Sequence, residues 1–134
     1  MANALYPKTK AAMLQGGVNL ITATVKALLI DLADYAYDAA HDFLNDVPVA
    51  ARVAVSGALS GKAINDLGQF DSGDPIFTSV AGDQLEAVIL FIDTGDESTS
   101  RLVLFQDTGV TGMPLTPDGN NVQIIVAAAG WFTL

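Results

Sequence analysis

Six consecutive apolar residues, Ala87-Val-Ile-Leu-Phe-Ile92, stop abruptly at Asp93-Thr-Gly95. A strand with one wet face alternates apolar and polar residues, so an uninterrupted run this short, bounded by turn residues, predicts a strand covered on both faces. Arg101-Leu-Val-Leu-Phe-Gln106 repeats the arrangement, polar only at its ends, and is followed by a second Asp-Thr-Gly at residues 107–109. The simplest geometry is two successive strands of one hairpin. Each Asp-Thr-Gly is then a turn in which Asp caps and Gly takes a positive φ.

Asp-Thr-Gly is also the turn of aspartic proteases, where two carboxylates share one proton across a water. Two copies in one hairpin do not face each other, so that chemistry would require dimerisation through Asp93. The Gly-rich flap and closing apolar-Gly-Arg segment of retroviral-type proteases are absent from the sequence. A dimeric aspartic protease using Asp93 is therefore the enzyme alternative, and the leading expectation is a protein that is not an enzyme.

The chain has 134 residues, enough for a single domain that buries about two-thirds of its unfolded surface without metal or disulfide staples. It contains no cysteine, which removes thiol chemistry, disulfides and thiolate metal sites. His41 is the only histidine, so schemes needing several imidazoles are also excluded. No cofactor, catalytic residue or metal ligand is expected. The formal net charge is −9; residues 1–30 carry Lys8, Lys10 and Lys26 and no acid, leaving the remainder at −12. Such an acidic body repels phosphates and predicts no nucleic-acid binding. The apolar run Val25 to Leu32 contains Lys26 and Asp31 and is too short to span a bilayer, and the opening residues do not read as a signal peptide. The expectation is synthesis in a cytoplasm with no membrane partner.

Pro7 at a first helical turn, the run Ala11-Ala-Met-Leu14 and the stop at Gly16-Gly17 predict a short helix, so residues 1–17 read as a contact arm or short helix. The β-branched content of residues 24–31 favours an inner strand. Between Asp34 and Asp46, Tyr35, Ala39, Phe43 and Val47 recur every four residues beside Asp34, Asp38, Asp42 and Asp46, which predicts a second short helix packed through one stripe. The aspartate row also offers hard oxygen ligands, but without the spacing of a calcium loop. Further short strands are expected at Arg52 to Ser56, Lys62 to Asn65, Ile76 to Val80 and Asn121 to Ala127. The dispersed glycines of residues 109–120 do not form a phosphate-binding loop. These elements predict an α+β, β-rich single domain with a mainly antiparallel sheet and one or two short helices.

Surfaces for partners are read from three places. The basic segment carries Tyr6, Lys8 and Lys10; the polar loop of residues 93–100 carries Asp96 and Glu97 as a projection from the sheet; the apolar end carries Trp131, Phe132 and Leu134, which either complete the protein's own sheet or pack between subunits. Tyr35, Tyr37 and Trp131 are stacking platforms under a third reading, a glycan-binding module.

The segments Tyr6-Pro-Lys8, Gly17-Val-Asn-Leu20, Val25-Lys26, Ala40-His-Asp-Phe-Leu44, Asp46-Val-Pro48, Ala51-Arg-Val53, Gly82-Asp83, Asp93-Thr-Gly95, Ser98-Thr-Ser-Arg-Leu102 and Pro117-Asp-Gly119 run over nearly the whole chain. Together they resemble a family of small structural-module proteins of tailed bacteriophages, of the virion-accessory or capsid-decoration type. The chain departs from that pattern at Pro117-Asp-Gly-Asn120, where relatives tend to read Pro-Asn-Gly-Gly, and at Val126-Ala-Ala-Ala129, where they place a more polar strand. The resemblance brings no catalytic signature. It implies a noncatalytic virion structural protein, made in the host cytoplasm. A capsid decoration or cement protein is favoured, with a neck or tail accessory protein as the alternative. The implied partners are the major capsid protein or other virion subunits and further copies of itself.

Overall fold

The computed structural model describes residues 3–110 and 112–134. Its elements, in chain order, are β1 (Ala4–Leu5), α1 (Pro7–Leu14), β2 (Val25–Ile30), β3 (Arg52–Val55), β4 (Ala63–Ile64), β5 (Gln69–Asp71), β6 (Ile76–Phe77), β7 (Ala87–Ile92), β8 (Leu102–Gln106), β9 (Val122–Gln123) and β10 (Phe132–Thr133). The result is an α+β fold dominated by antiparallel sheet, as the sequence predicts.

The principal sheet has the order β1-β8-β7-β2-β3, and each neighbouring pair is antiparallel. The three long apolar strands lie at its centre. β2 and β7 are in unbroken register from Val25 opposite Ile92 to Ile30 opposite Ala87. Val25, Ala27, Leu29, Val88 and Leu90 enter one core; Leu28, Ile30, Ala87, Ile89 and Phe91 enter another on the opposite face. Both sets are buried because both faces are covered, which explains why neither run alternates. The pairing of Leu90 with Leu104 is followed by that of Phe91 with Leu102, so Val103 is an extra residue in β8. This bulge puts Val103 and Leu104 into the same core while Leu102 and Phe105 enter the other.

The first face is covered by a second β-layer, a three-stranded sheet β10-β5-β4 and the pair β6-β9. Phe70, Phe77, Ile124 and Trp131 pack from it against the main sheet. The second face is covered by residues 31–51, through Tyr35, Leu44, Val47 and Ala51, with Tyr6 beside them. α1 lies near β8 and buries Thr9 and Ala12; the Thr9 hydroxyl donates to the carbonyl of Leu102. Gly16, at φ +76, follows it where the sequence placed the stop.

The helix expected over residues 34–46 does not form. That segment is turns and extended chain ending in a 3-10 turn, Leu44–Asp46. Its aspartates bond to nearby backbone instead: Ala40 N–H donates to Asp38 Oδ1 (2.8 Å), and the N–H groups of Asp42 and Phe43 to Asp46 Oδ2 (2.9 and 3.3 Å). Short acidic side chains offer the backbone this alternative to a helical ladder. The four-residue recurrence also fails to make one apolar face, since Tyr35 and Val47 are buried while Ala39 is exposed. The strand expected over residues 121–127 shortens to Val122–Gln123, with Val126 N–H donating instead to Asp74 Oδ1 at 2.8 Å.

Candidate functional site

Three features come together from distant parts of the chain. The first is an aromatic cluster on the second face. Tyr6, held at the entry to α1, places its hydroxyl 2.9 Å from that of Tyr35, which lies 2.9 Å from His41 Nδ1. Tyr37 completes the cluster, with its ring centroid 5.1 Å from Tyr6 and 5.4 Å from Phe105. All three tyrosines and the only histidine therefore meet in one place. His41 Nδ1 meets the hydroxyl of the buried Tyr35, and the arrangement ties the N-terminal segment to residues 31–47. It also fixes Tyr6 and Tyr35 as internal side chains, with neither ring free as a contact or stacking surface.

Burial pushes the Tyr35 phenol up to about 12 and the Tyr6 phenol further. A group whose folded pKa is raised contributes stability that is complete below its unfolded value and is lost as pH rises through the folded one. The unfolded value for tyrosine is about 10. Phenolate absorbance from Tyr6 and Tyr35 is thus expected to appear only together with unfolding, above about pH 10, and Tyr6→Phe should move alkaline unfolding to higher pH. Three tyrosines ionising independently near pH 10 in a chain that keeps its near-ultraviolet circular dichroism would contradict this.

The second feature is the β7–β8 connection, residues 93–100. The expected projection is stapled down. Arg52 forks onto Glu97, with Nη1 and Nη2 each 2.9 Å from a carboxylate oxygen, and also donates to the carbonyls of Leu44 and Val47. Asp96 Oδ1 accepts from the amide and hydroxyl of Ser98 at 2.9 and 2.7 Å. Ser100 O accepts from Leu44 N–H at 2.8 Å. Asp96 and Glu97 are exposed, yet both are engaged in shaping the loop.

Asp93 lies 2.6 Å from Lys26 Nζ and accepts from Gly95 N–H at 2.9 Å, with Gly95 at φ +85. The Lys26 ammonium, helped by that amide, holds its carboxyl below the ordinary range. Asp107 follows the opposite end of the hairpin, six residues of β7 away, or roughly 20 Å at strand rise. Both Asp-Thr-Gly segments follow strand ends, and an ion-paired Asp93 is the reverse of a carboxyl prepared to share a proton.

The third feature is the C-terminal edge. Trp131 is 7% exposed and packs in the first core; its indole N–H donates to Ser72 Oγ at 2.8 Å and its amide to Phe70 O at 2.7 Å. Of the two destinations read from sequence, the tryptophan takes the protein's own core. Phe132 is half-buried against Phe70, with ring centroids 5.6 Å apart. Leu134 is 59% exposed. It borders a groove of about 390 Å³ that is also lined by Met13, Val18, Ile64, Phe70 and Phe132. Ile64 is half exposed, and Leu67 beside Gly68 of the same groove is 73% exposed.

Lys8 and Lys10 project from α1 into solvent, and Lys8 reaches Asp42 at 3.5 Å. Asp34 meets Asp31 and Asp83, with ligand atoms within 4.8 Å, and not the Asp38, Asp42, Asp46 row suggested by spacing. Sequence reasoning missed Arg52 as the clamp of the loop and Tyr35 and His41 as partners of Tyr6. No periodicity signals contacts between residues 29 or 45 positions apart. Among the described residues, no helix is long and apolar enough to cross a membrane.

The class defined by fold and surface is an α+β protein with a buried phenol cluster, a stapled polar loop and a C-terminal sheet that presents an apolar groove. No protein-family model and no curated protein matches the chain.

Proposed function

We propose that the protein is a noncatalytic structural component of a tailed-phage particle, a capsid decoration or cement protein that stabilises contacts between capsomers. The observation that carries this reading is the groove beside Ile64, Phe132 and Leu134, with its exposed leucine and isoleucine side chains on an otherwise acidic body. Contiguous apolar surface of this kind is the usual mark of a contact. The resemblance of the chain to structural-module proteins of tailed phages supports the same reading. The proposed partners are the major capsid protein or another virion subunit and further copies of this chain, with assembly in the host cytoplasm. Individually weak contacts repeated over a symmetric shell give strong retention, because later contacts in a linked assembly form at high effective concentration.

Electron cryomicroscopy of the particle carrying this protein tests the reading. Density for the fold at capsomer junctions in shell-wide copies is the expected result. A ring of few copies at the portal or along the tail would assign it instead as a neck or tail accessory protein, and its absence from the particle would end the virion reading.

A further inference from the structure

Arg101 is placed unlike the other basic side chains near it. Arg52 is forked onto Glu97, Lys26 is paired with Asp93, Lys8 with Asp42, and Lys62 donates to the carbonyl of Ala23. Among the described residues, Arg101 has no carboxylate or carbonyl acceptor. It sits at the entry to β8, bridged to Phe43 on one side and joined to Ile92 on the other through its own carbonyl, which accepts from Ile92 N–H at 2.8 Å. Its guanidinium carbon lies 5.0 Å from the centroid of the Phe43 ring. A cation over an aromatic ring is held by the ring's quadrupole, which engages the charge and leaves the N–H donors unused.

Arg101 lines a cleft of about 390 Å³ of mixed character, with Asn19, Thr22, Thr94 and Thr99 beside Val18 and Ile92. Thr94 Oγ1 and Thr99 Oγ1 are 2.6 Å apart and both reach the carbonyl of Asp96, so the hydroxyls on this wall are already engaged and Arg101 keeps the unused donors. The adjoining loop carries three acids, and each is taken: Asp93 by Lys26, Asp96 by Ser98 and Glu97 by Arg52. The chain thus supplies carboxylates close in sequence to Arg101 without directing one to it.

We propose that this cleft is a receptor for a single carboxylate, with Arg101 as its charged fork. A planar guanidinium matches a carboxylate through two parallel hydrogen bonds. The acidic body, at −9 overall, disfavours a multiply charged phosphate at the same place. In the virion reading, on which only the identity of the carboxylate's owner rests, the ligand is an aspartate or glutamate side chain on a neighbouring subunit. Arginine is among the side chains that most often anchor an interface.

The test is a titration of the isotope-labelled protein with sodium acetate, with a capped tripeptide bearing a central glutamate, with the same peptide bearing glutamine, and with inorganic phosphate. The readouts are the Arg101 Nε–H signal and the backbone amides of Thr94 and Thr99. Saturable shifts with acetate and the glutamate peptide, at least about tenfold weaker binding of the glutamine peptide, and a loss of about tenfold or more in Arg101→Gln are expected, since each change removes the charge-assisted hydrogen bonds. Arg101→Lys, which keeps the charge and loses the fork, should fall between the two and serves if the amides of β2 and β7 show that the glutamine variant is perturbed. Equal response to both peptides, no saturable shift at Arg101, or phosphate binding tighter than acetate would overturn the proposal. Failure here leaves the virion reading standing, whereas absence of the protein from the particle would leave a carboxylate site without its proposed owner.

Discussion

Phe105→Ala is expected to destabilise the protein by about 3–5 kcal/mol, the usual cost of emptying a large aromatic site in a core. The side chain is 1% exposed, opposite Ala4 of β1 and Ile89 of β7. Its ring lies 6.2 Å from that of Tyr35 and 5.4 Å from that of Tyr37. It therefore supports the segment that covers the second face. Residues 31–51 have no regular α-helix or strand, so the attachment of this layer depends on buried side chains, on the Tyr6–Tyr35–His41 contacts and on a few backbone bonds such as Leu44 N–H to Ser100 O. Domains of this size have a total stability of about 5–15 kcal/mol, so the loss is a large share of the whole. Equilibrium denaturation should show a lower midpoint at unchanged slope. A loss below about 1 kcal/mol would mean that the irregular layer is anchored elsewhere.

Gly130→Ala should cost about 3 kcal/mol or more, although it adds only one methyl group. Gly130 has φ +85, and a Cβ built there would stand 2.4 Å from the carbonyl oxygen of Phe70 and 3.0 Å from its carbon. Both opposing atoms are backbone, so no side-chain rotation relieves the contact. The strand end must move, and with it the Trp131 N–H to Phe70 O bond and the pairing of β10 with β5. Gly119→Ala is the control: its φ is +86, but its Cβ would meet open space, leaving only the left-handed backbone cost of about 1–2 kcal/mol. Trp131 is the only tryptophan, so its fluorescence reports the C-terminal edge directly. A red shift and lower midpoint in Gly130→Ala, beyond those in Gly119→Ala, are expected; equal effects would show that the close approach to Phe70 relaxes freely. Because Phe132 and Leu134 line the apolar groove, the same substitution should also reduce occupancy on the particle if that groove is the docking surface.

The sites divide according to the range of the interactions that make them. The two Asp-Thr-Gly turns were legible because Asp93 bonds to Gly95 two residues away and the glycine supplies the positive φ. The grip of Arg52 on Glu97 spans 45 residues and has no local signature. Glu97 reads in sequence as a free loop charge for that reason. Trp131 reads as an apolar residue of undecided destination, and only the position of Ser72, 59 residues earlier, shows that its indole N–H is satisfied inside.

The amino-acid sequence by itself determined the central strands and the first helix. The continuous apolar character of β7, nearly matched by β8, points to a doubly covered sheet, the β-branched content around β2 marks a third inner strand, and Pro7 and Gly16 bound α1 through backbone restrictions that act locally. Tertiary structure alone decided the form of residues 34–46. A four-residue recurrence is necessary for a packed helix but does not supply its energy, and here aspartate-to-amide bonds compete with the helical ladder. The balance is settled by what the segment meets when it reaches the sheet: Tyr6 for Tyr35, Arg52 for the carbonyls of Leu44 and Val47, and Phe105 beneath the tyrosine rings.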